Sequence, residues 1–178
     1  VIMLASLAKA IRRVVLGSQA AVVGRACSES RRYLMAAELS LRTARVASSQ
    51  LCSGLKLAAS HSCCRAICGD LRNLTDQQLR RLGESGGVVG ITYVPWFIDT
   101  EKEPTLERLV DHILHALEIA GEDAVGLGSD FDGGGDLLTD ASQVPLITEA
   151  LNRRGVGEEV IVKVLGTNHR RLLESTIG

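Results

Sequence analysis

Three short, largely apolar runs, at residues 55–59, 88–94 and 124–128, alternate with stretches of helical periodicity. Runs of this length with little polar interruption suit strands buried on both faces, which is the signature of a parallel sheet. The intervening text is helical and well punctuated. Thr75 stands as an N-cap with Gln78 three residues on, a capping-box pattern, and Gly86-Gly87 ends that segment. Thr105 caps a second helix whose Leu106, Leu109, Val110, Ile113, Leu114 and Leu117 form one apolar stripe, closed by Gly121. Two further helices are predicted over 145–153 and 158–165. Strand and helix in strict alternation predict an α/β fold with helices covering a parallel sheet. In that architecture chemistry sits on the loops after the carboxyl ends of the strands. His61 and Asp130 both fall at such ends, and Arg72 lies in the loop after the first. The three are the candidate site.

The 178 residues carry a formal net charge of −1, so no general basic field recommends nucleic acid as a partner. That near-neutrality conceals two compositions. Residues 1–50 hold eight Lys/Arg against two Glu and only two glycines; the rest holds twelve Lys/Arg, nineteen Asp/Glu and sixteen glycines. Helices are predicted over 2–16 and 31–47, but no chemical motif stands in this Ala-, Arg- and Ser-rich segment. No apolar run reaches the roughly 20 residues of a membrane span. With no signal peptide, span or GPI-type tail visible, a cytoplasmic location is expected. The five cysteines have no framework spacing, and free thiols in a reducing compartment are expected.

Each candidate has a plainer reading. A lone histidine such as His61 is commonly a hydrogen-bonded core or loop residue. His61 with Cys63, Cys64 and Cys68 lacks the paired C-x2-C spacing of a structural zinc site, so the cysteines read as small packing residues. The run from Asp130 to Asp136 fails as a calcium loop, with Gly134 at its fifth position and Ala141 at its twelfth. Asp132 is expected to anchor that loop. His112 and His115, placed opposite the leucine stripe, read as a solvated face or as helix-to-loop bonding rather than a metal pair. Arg153-Arg154 and Arg170-Arg171 read as surface, and Asn168 as a cap or brace of the last helix.

Taken together, Ser60-His61-Ser62-Cys63-Cys64-Arg65-Ala66, Arg72-Asn73-Leu74-Thr75-Asp76-Gln77-Gln78 and Gly86-Gly87-Val88-Val89-Gly90 form an ordered series. It continues through Val110-Asp111-His112-Ile113 with His115, then Gly126-Leu127-Gly128-Ser129-Asp130-Phe131-Asp132-Gly133, then Leu165-Gly166-Thr167-Asn168. Over residues 55–178 the series resembles the membrane (renal) dipeptidase family of binuclear zinc peptidases. The resemblance implies a (β/α)8 TIM barrel of which this chain would hold about the last three βα units, preceded by an atypical segment. It implies a dipeptide substrate, two Zn2+ per site, and hydrolysis of the peptide bond by a metal-activated water. It makes His61 a metal ligand, Arg72 the holder of the dipeptide's terminal carboxylate, and Asp130 the catalytic, substrate-contacting proton carrier.

The departures are as informative. No histidine precedes His61, so the family's early His-x-Asp pair and its second zinc histidine have no counterpart here. Glu29 and Glu38 lack the context of the bridging glutamate. A barrel of this class needs roughly 250 residues. Residues 55–178 are therefore expected to be the C-terminal part of a dipeptidase, and 1–50 not native barrel sequence, as a frame error or truncated gene would leave. The alternative is a noncatalytic remnant or interaction module of the same fold. Exposed parallel strand edges would favour homo-oligomers.

Overall fold

The computed structural model describes residues 34–35, 57–131 and 137–177. The predicted helix at 2–16 and the loop role of Asp132 lie outside them. The chain divides after Arg32, and every described residue belongs to the second unit, Tyr33–Gly178.

Four described strands form one parallel sheet in the order β1 (Leu34–Met35), β2 (Leu57–Ser62), β3 (Val88–Thr92) and β4 (Val125–Ser129). β1 corrects the helix expected over 31–47: Leu34 pairs with Leu57 and Met35 with Ala58. Pairing with a neighbouring strand outweighs a local propensity that rested on little apolar content. β3 is the buried centre of the sheet, all five of its residues being inaccessible. Its ladder to β4 shifts register between Ile91 and Thr92, and β2 shifts between Ala59 and Ser62.

The helices follow the caps read from the sequence. α1 (Asp76–Glu84) starts with the full capping box: Thr75 Oγ1 accepts from the Gln78 amide at 3.3 Å, and the Thr75 amide donates to Gln78 Oε1 at 2.8 Å. Three residues after β3 ends, Pro95 opens a short helix, α2 (Pro95–Ile98), as proline at a first helical position can. α3 (Leu106–Ala120) is capped by Thr105 and ends at Gly121, whose φ of 87° suits glycine alone. α4 (Val144–Arg153) occupies the stretch predicted for it. The helix expected over 158–165 is shorter, α5 (Glu158–Val162), and a wide turn at Lys163–Thr167 passes the chain into α6 (Asn168–Ile177). Asn168 is buried and braces this corner onto the sheet, its Nδ2 donating to the carbonyls of Glu122 and Val125, both at 2.7 Å.

One continuous apolar core joins the sheet to α1, α3 and α4, with Leu79, Ile91, Ile113, Ile147 and Leu151 all fully buried. An ideal Cβ built on Gly90 of β3 would sit 2.5 Å from the Ser60 carbonyl oxygen and 2.9 Å from Gly128 Cα, so both flanking backbones close in over the central strand. No helix among the described residues is long and apolar enough to cross a membrane.

Candidate active site

The carboxyl ends of β2 and β4 meet above β3. His61, near the end of β2, donates from Nδ1 to the Gly128 carbonyl on β4 at 2.7 Å. A carbonyl only accepts, so Nδ1 carries the proton and a neutral His61 keeps a bare lone pair on Nε2. That is the tautomer that metal-binding imidazoles adopt, with the other ring nitrogen tied to a carbonyl.

β4 finishes in a kink. Ser129 and Asp130 have φ values of 28° and 74°, a conformation that side-chain-bearing residues seldom take. The Ser129 carbonyl locks it, accepting from the Tyr93 amide at 2.9 Å and from Thr92 Oγ1 at 3.0 Å. Phe131 closes edge-on against the buried Tyr93 ring, centroids 5.5 Å apart. Asp130 is left half-buried, and among the described residues its carboxylate has no hydrogen-bonding or charged partner. Over-determined backbone of this kind gathers at sites that must aim a side chain.

Arg72 sits on a loop with a pinched neck. The Arg65 amide donates to the Leu74 carbonyl at 2.8 Å, and the Leu74 amide to that of Cys63 at 2.9 Å, closing the excursion between. Asn73, 1% exposed, fills the neck. Its Oδ1 accepts from the Cys63 amide at 3.0 Å, and its Nδ2 donates to the carbonyls of Cys68 at 2.9 Å and Phe97 at 2.8 Å. The Ser62 hydroxyl donates to the Arg72 carbonyl at 2.9 Å. The Arg72 side chain itself is exposed, its guanidinium 4.6 Å over the Phe97 ring centroid, with no carboxylate partner among the described residues.

Behind this loop lies a residue the sequence reading put on the wrong side. His112 is fully buried, not on a solvated face. α3 buries Leu109, Val110, His112, Ile113 and Ala116, a stripe rotated from the expected one, because small Ala116 packs inward and Leu106, Leu114 and Leu117 are only partly covered. The helix-to-loop alternative is the observed one. The Cys64 amide donates to His112 Nδ1 at 3.0 Å, and Nε2 donates to the Ile98 carbonyl at 2.9 Å. His115 does the same work outside, bonding Asp76 Oδ1 of α1 at 2.8 Å. Periodicity could have found His112, three residues after Leu109 and four before Ala116. Nothing local marks Phe97 or the triple bonding of Asn73.

Burial pushes the His112 pKa down to about 4, against a weaker upward pull from the Ile98 carbonyl. Its folded pKa lies below the unfolded value of about 6.5, so the unfolded chain takes up a proton that the folded chain refuses. The stability His112 confers is therefore complete above pH ~6.5 and drains away as pH falls toward 4, by about 3 kcal/mol. Urea unfolding at pH 7 and pH 4.5 measures this. His112→Gln, which can both accept and donate, should flatten the difference; an unchanged pH slope would refute it.

Cys63, Cys64 and Cys68 are free and buried, as packing residues would be. Burial, with Cys64 close by, raises the Cys63 thiol well above its usual range; Cys64 is pushed up to about 12. Such thiols are inert. Among the described residues no group of three His, Cys, Asp or Glu side chains could hold a metal ion. His61 has a ligand's tautomer, but zinc takes about four donors, and the described set does not fit a complete centre.

The model of the membrane dipeptidase family (Peptidase family M19) matches residues 30–177. The chain belongs to the membrane dipeptidase family. The match begins within the segment that motif reading left empty. A dipeptidase of Claviceps purpurea is 38% identical over 118 residues, covering 64% of this chain and 28% of the relative. A Klebsiella pneumoniae protein encoded in the pqqA 5′ region is 40% identical over 125 residues, 67% of this chain and 46% of its own. Among solved structures, a Rhodobacter sphaeroides metallopeptidase bound to a phosphinate mimic of the dipeptide L-Ala-D-Ala superposes with a TM-score of 0.63 at 34% identity. That match covers 68% of this chain and 36% of the other. An amidohydrolase of Pseudomonas aeruginosa gives a TM-score of 0.66 at 27% identity, over 75% and 49%. The chain thus spans less than half the length of each of these family relatives. As a metallopeptidase family, it implies a metal cofactor.

Proposed function

We propose that this chain serves zinc-dependent dipeptide hydrolysis, contributing one side of a (β/α)8 active site. The observation that supports it best is the meeting of the β2 and β4 ends: His61 bonded through Nδ1 to the Gly128 carbonyl, and Asp130 on a locked left-handed turn. In this reading the planar Arg72 fork holds the substrate's terminal carboxylate through two parallel N–H bonds. Asp130 accepts the proton of the attacking water and returns it to the leaving amine, so that both atoms and charge balance. His61 is one metal ligand, and further donors would come from outside the described residues. The parallel sheet packed against helices supports a barrel sector.

A second reading, a noncatalytic member of the fold, is favoured by the missing donor group among the described residues. One experiment separates them. Zinc per purified chain is measured by elemental analysis, for the native protein and His61→Ala, alongside hydrolysis of L-Ala-D-Ala. Close to two zincs, lost in the variant, with turnover, establishes the enzyme. Neither zinc nor turnover leaves a dipeptidase in descent only.

A further inference from the structure

We propose that Phe97 is the positioning residue for the Arg72 arm, a flat platform that holds the guanidinium so that its fork faces outward. The inference rests on the reading of Arg72 as the carboxylate-binding group. An arginine on an exposed loop has a long, mobile side chain, and fixing it for a two-oxygen anion means restricting several torsions at once. Here the restriction comes from an aromatic face. The guanidinium carbon lies 4.6 Å from the Phe97 ring centroid, within the range of a cation–π contact. The ring is itself immobile: Phe97 is 1% exposed, and the neighbouring Trp96 ring meets it edge-on at 6.1 Å.

The distance between platform and arm is set by a separate device. Asn73, the residue after Arg72, donates to the Phe97 carbonyl, so one clip ties the backbone beneath the arginine to the backbone beneath the ring. His112 repeats the tie one residue further along each segment pair, bridging the Cys64 amide and the Ile98 carbonyl. A guanidinium laid flat on the ring would keep its N–H edge for another partner, and no carboxylate among the described residues takes it. Stacking and in-plane hydrogen bonding use different directions of the same group, so they coexist.

The test uses the full chain and two readouts. Nitrogen-correlated NMR reads the side-chain Nε–H of Arg72, which a ring at this distance shifts upfield. Calorimetry compares the dipeptide L-Ala-D-Ala with its C-terminal amide, which lacks the anion. The native protein should show the shifted signal and favour the acid. Phe97→Leu should abolish the shift and reduce that preference by about two- to five-fold, the worth of a cation–π contact at an exposed site. Arg72→Lys, at an exposed position that leaves folding alone, should lose the preference while thermal unfolding stays native.

An unshifted Arg72 signal in the native protein, or a preference that survives Phe97→Leu in folded protein, overturns the platform. A shifted signal with no preference for acid over amide instead overturns the carboxylate reading of Arg72, and the functional role of Phe97 with it.

Discussion

Gly90→Ala is expected to cost about 3 kcal/mol or more, the upper end of overpacking in a closed core. The added methyl would lie 2.5 Å from the Ser60 oxygen and 2.9 Å from Gly128 Cα. Both are backbone atoms of flanking strands, so no side chain can swing away to make room. The strands would have to part where β2 and β4 bring His61 and Gly128 together. Domains of this size have only about 5–15 kcal/mol to lose. Chemical denaturation should therefore show a large fall in midpoint, or no folded baseline. Gly69→Ala is the control: it is exposed with nothing within 4 Å, and its change should stay within about 0.5 kcal/mol. Equal midpoints for the two variants would mean that the flanking backbones do not close over Gly90.

Asn73→Ala is the second large effect. The amide of Asn73 serves one buried N–H and two carbonyls, and its removal takes from all three their side-chain partner. Unpaired buried polar groups cost about 1–3 kcal/mol each, less where water enters. A total of about 3–5 kcal/mol is expected on that basis. The loss should also be local. The loop neck and the Phe97 carbonyl come apart together, so hydrogen exchange at the Cys63 amide should accelerate more than exchange in β3. Asn73→Asp keeps the acceptor but sets a buried carboxylate oxygen against the Cys68 and Phe97 carbonyls, and should cost at least as much as the alanine variant. Uniform acceleration of exchange would show that Asn73 stabilises the whole fold rather than this loop.

Much of the architecture was legible because it is written locally. Thr75 with Gln78, Thr105 before its apolar stripe, and Gly121 after it are signals within one or two helical turns, and each element begins and ends there. Apolar runs separated by these helices were enough for a parallel sheet. The positions of His61 and Asp130 followed, because strand ends in such a sheet are fixed by where the apolar run stops. The short strand at Leu34–Met35 was not legible, since two residues of pairing leave no periodicity to read. The short helix opened by Pro95 was not legible either, since proline fits the end of an apolar run as well as the start of a helix.

The site shows the division most clearly. Residue types and order alone determined which groups could do chemistry, and the motif series around them determined the family. Tertiary structure alone decided how those groups are held. Gly128 lies 67 residues from His61, Phe97 lies 24 from Asn73, and His112 lies 48 from Cys64. No periodicity reaches across such separations; they are joined only when helices pack on the sheet and buried polar groups must find partners. The left-handed turn at Ser129 and Asp130 belongs to the same class. Neither residue favours that conformation by itself, and the carbonyl bonds from Thr92 and Tyr93, available only once β3 lies beside β4, impose it.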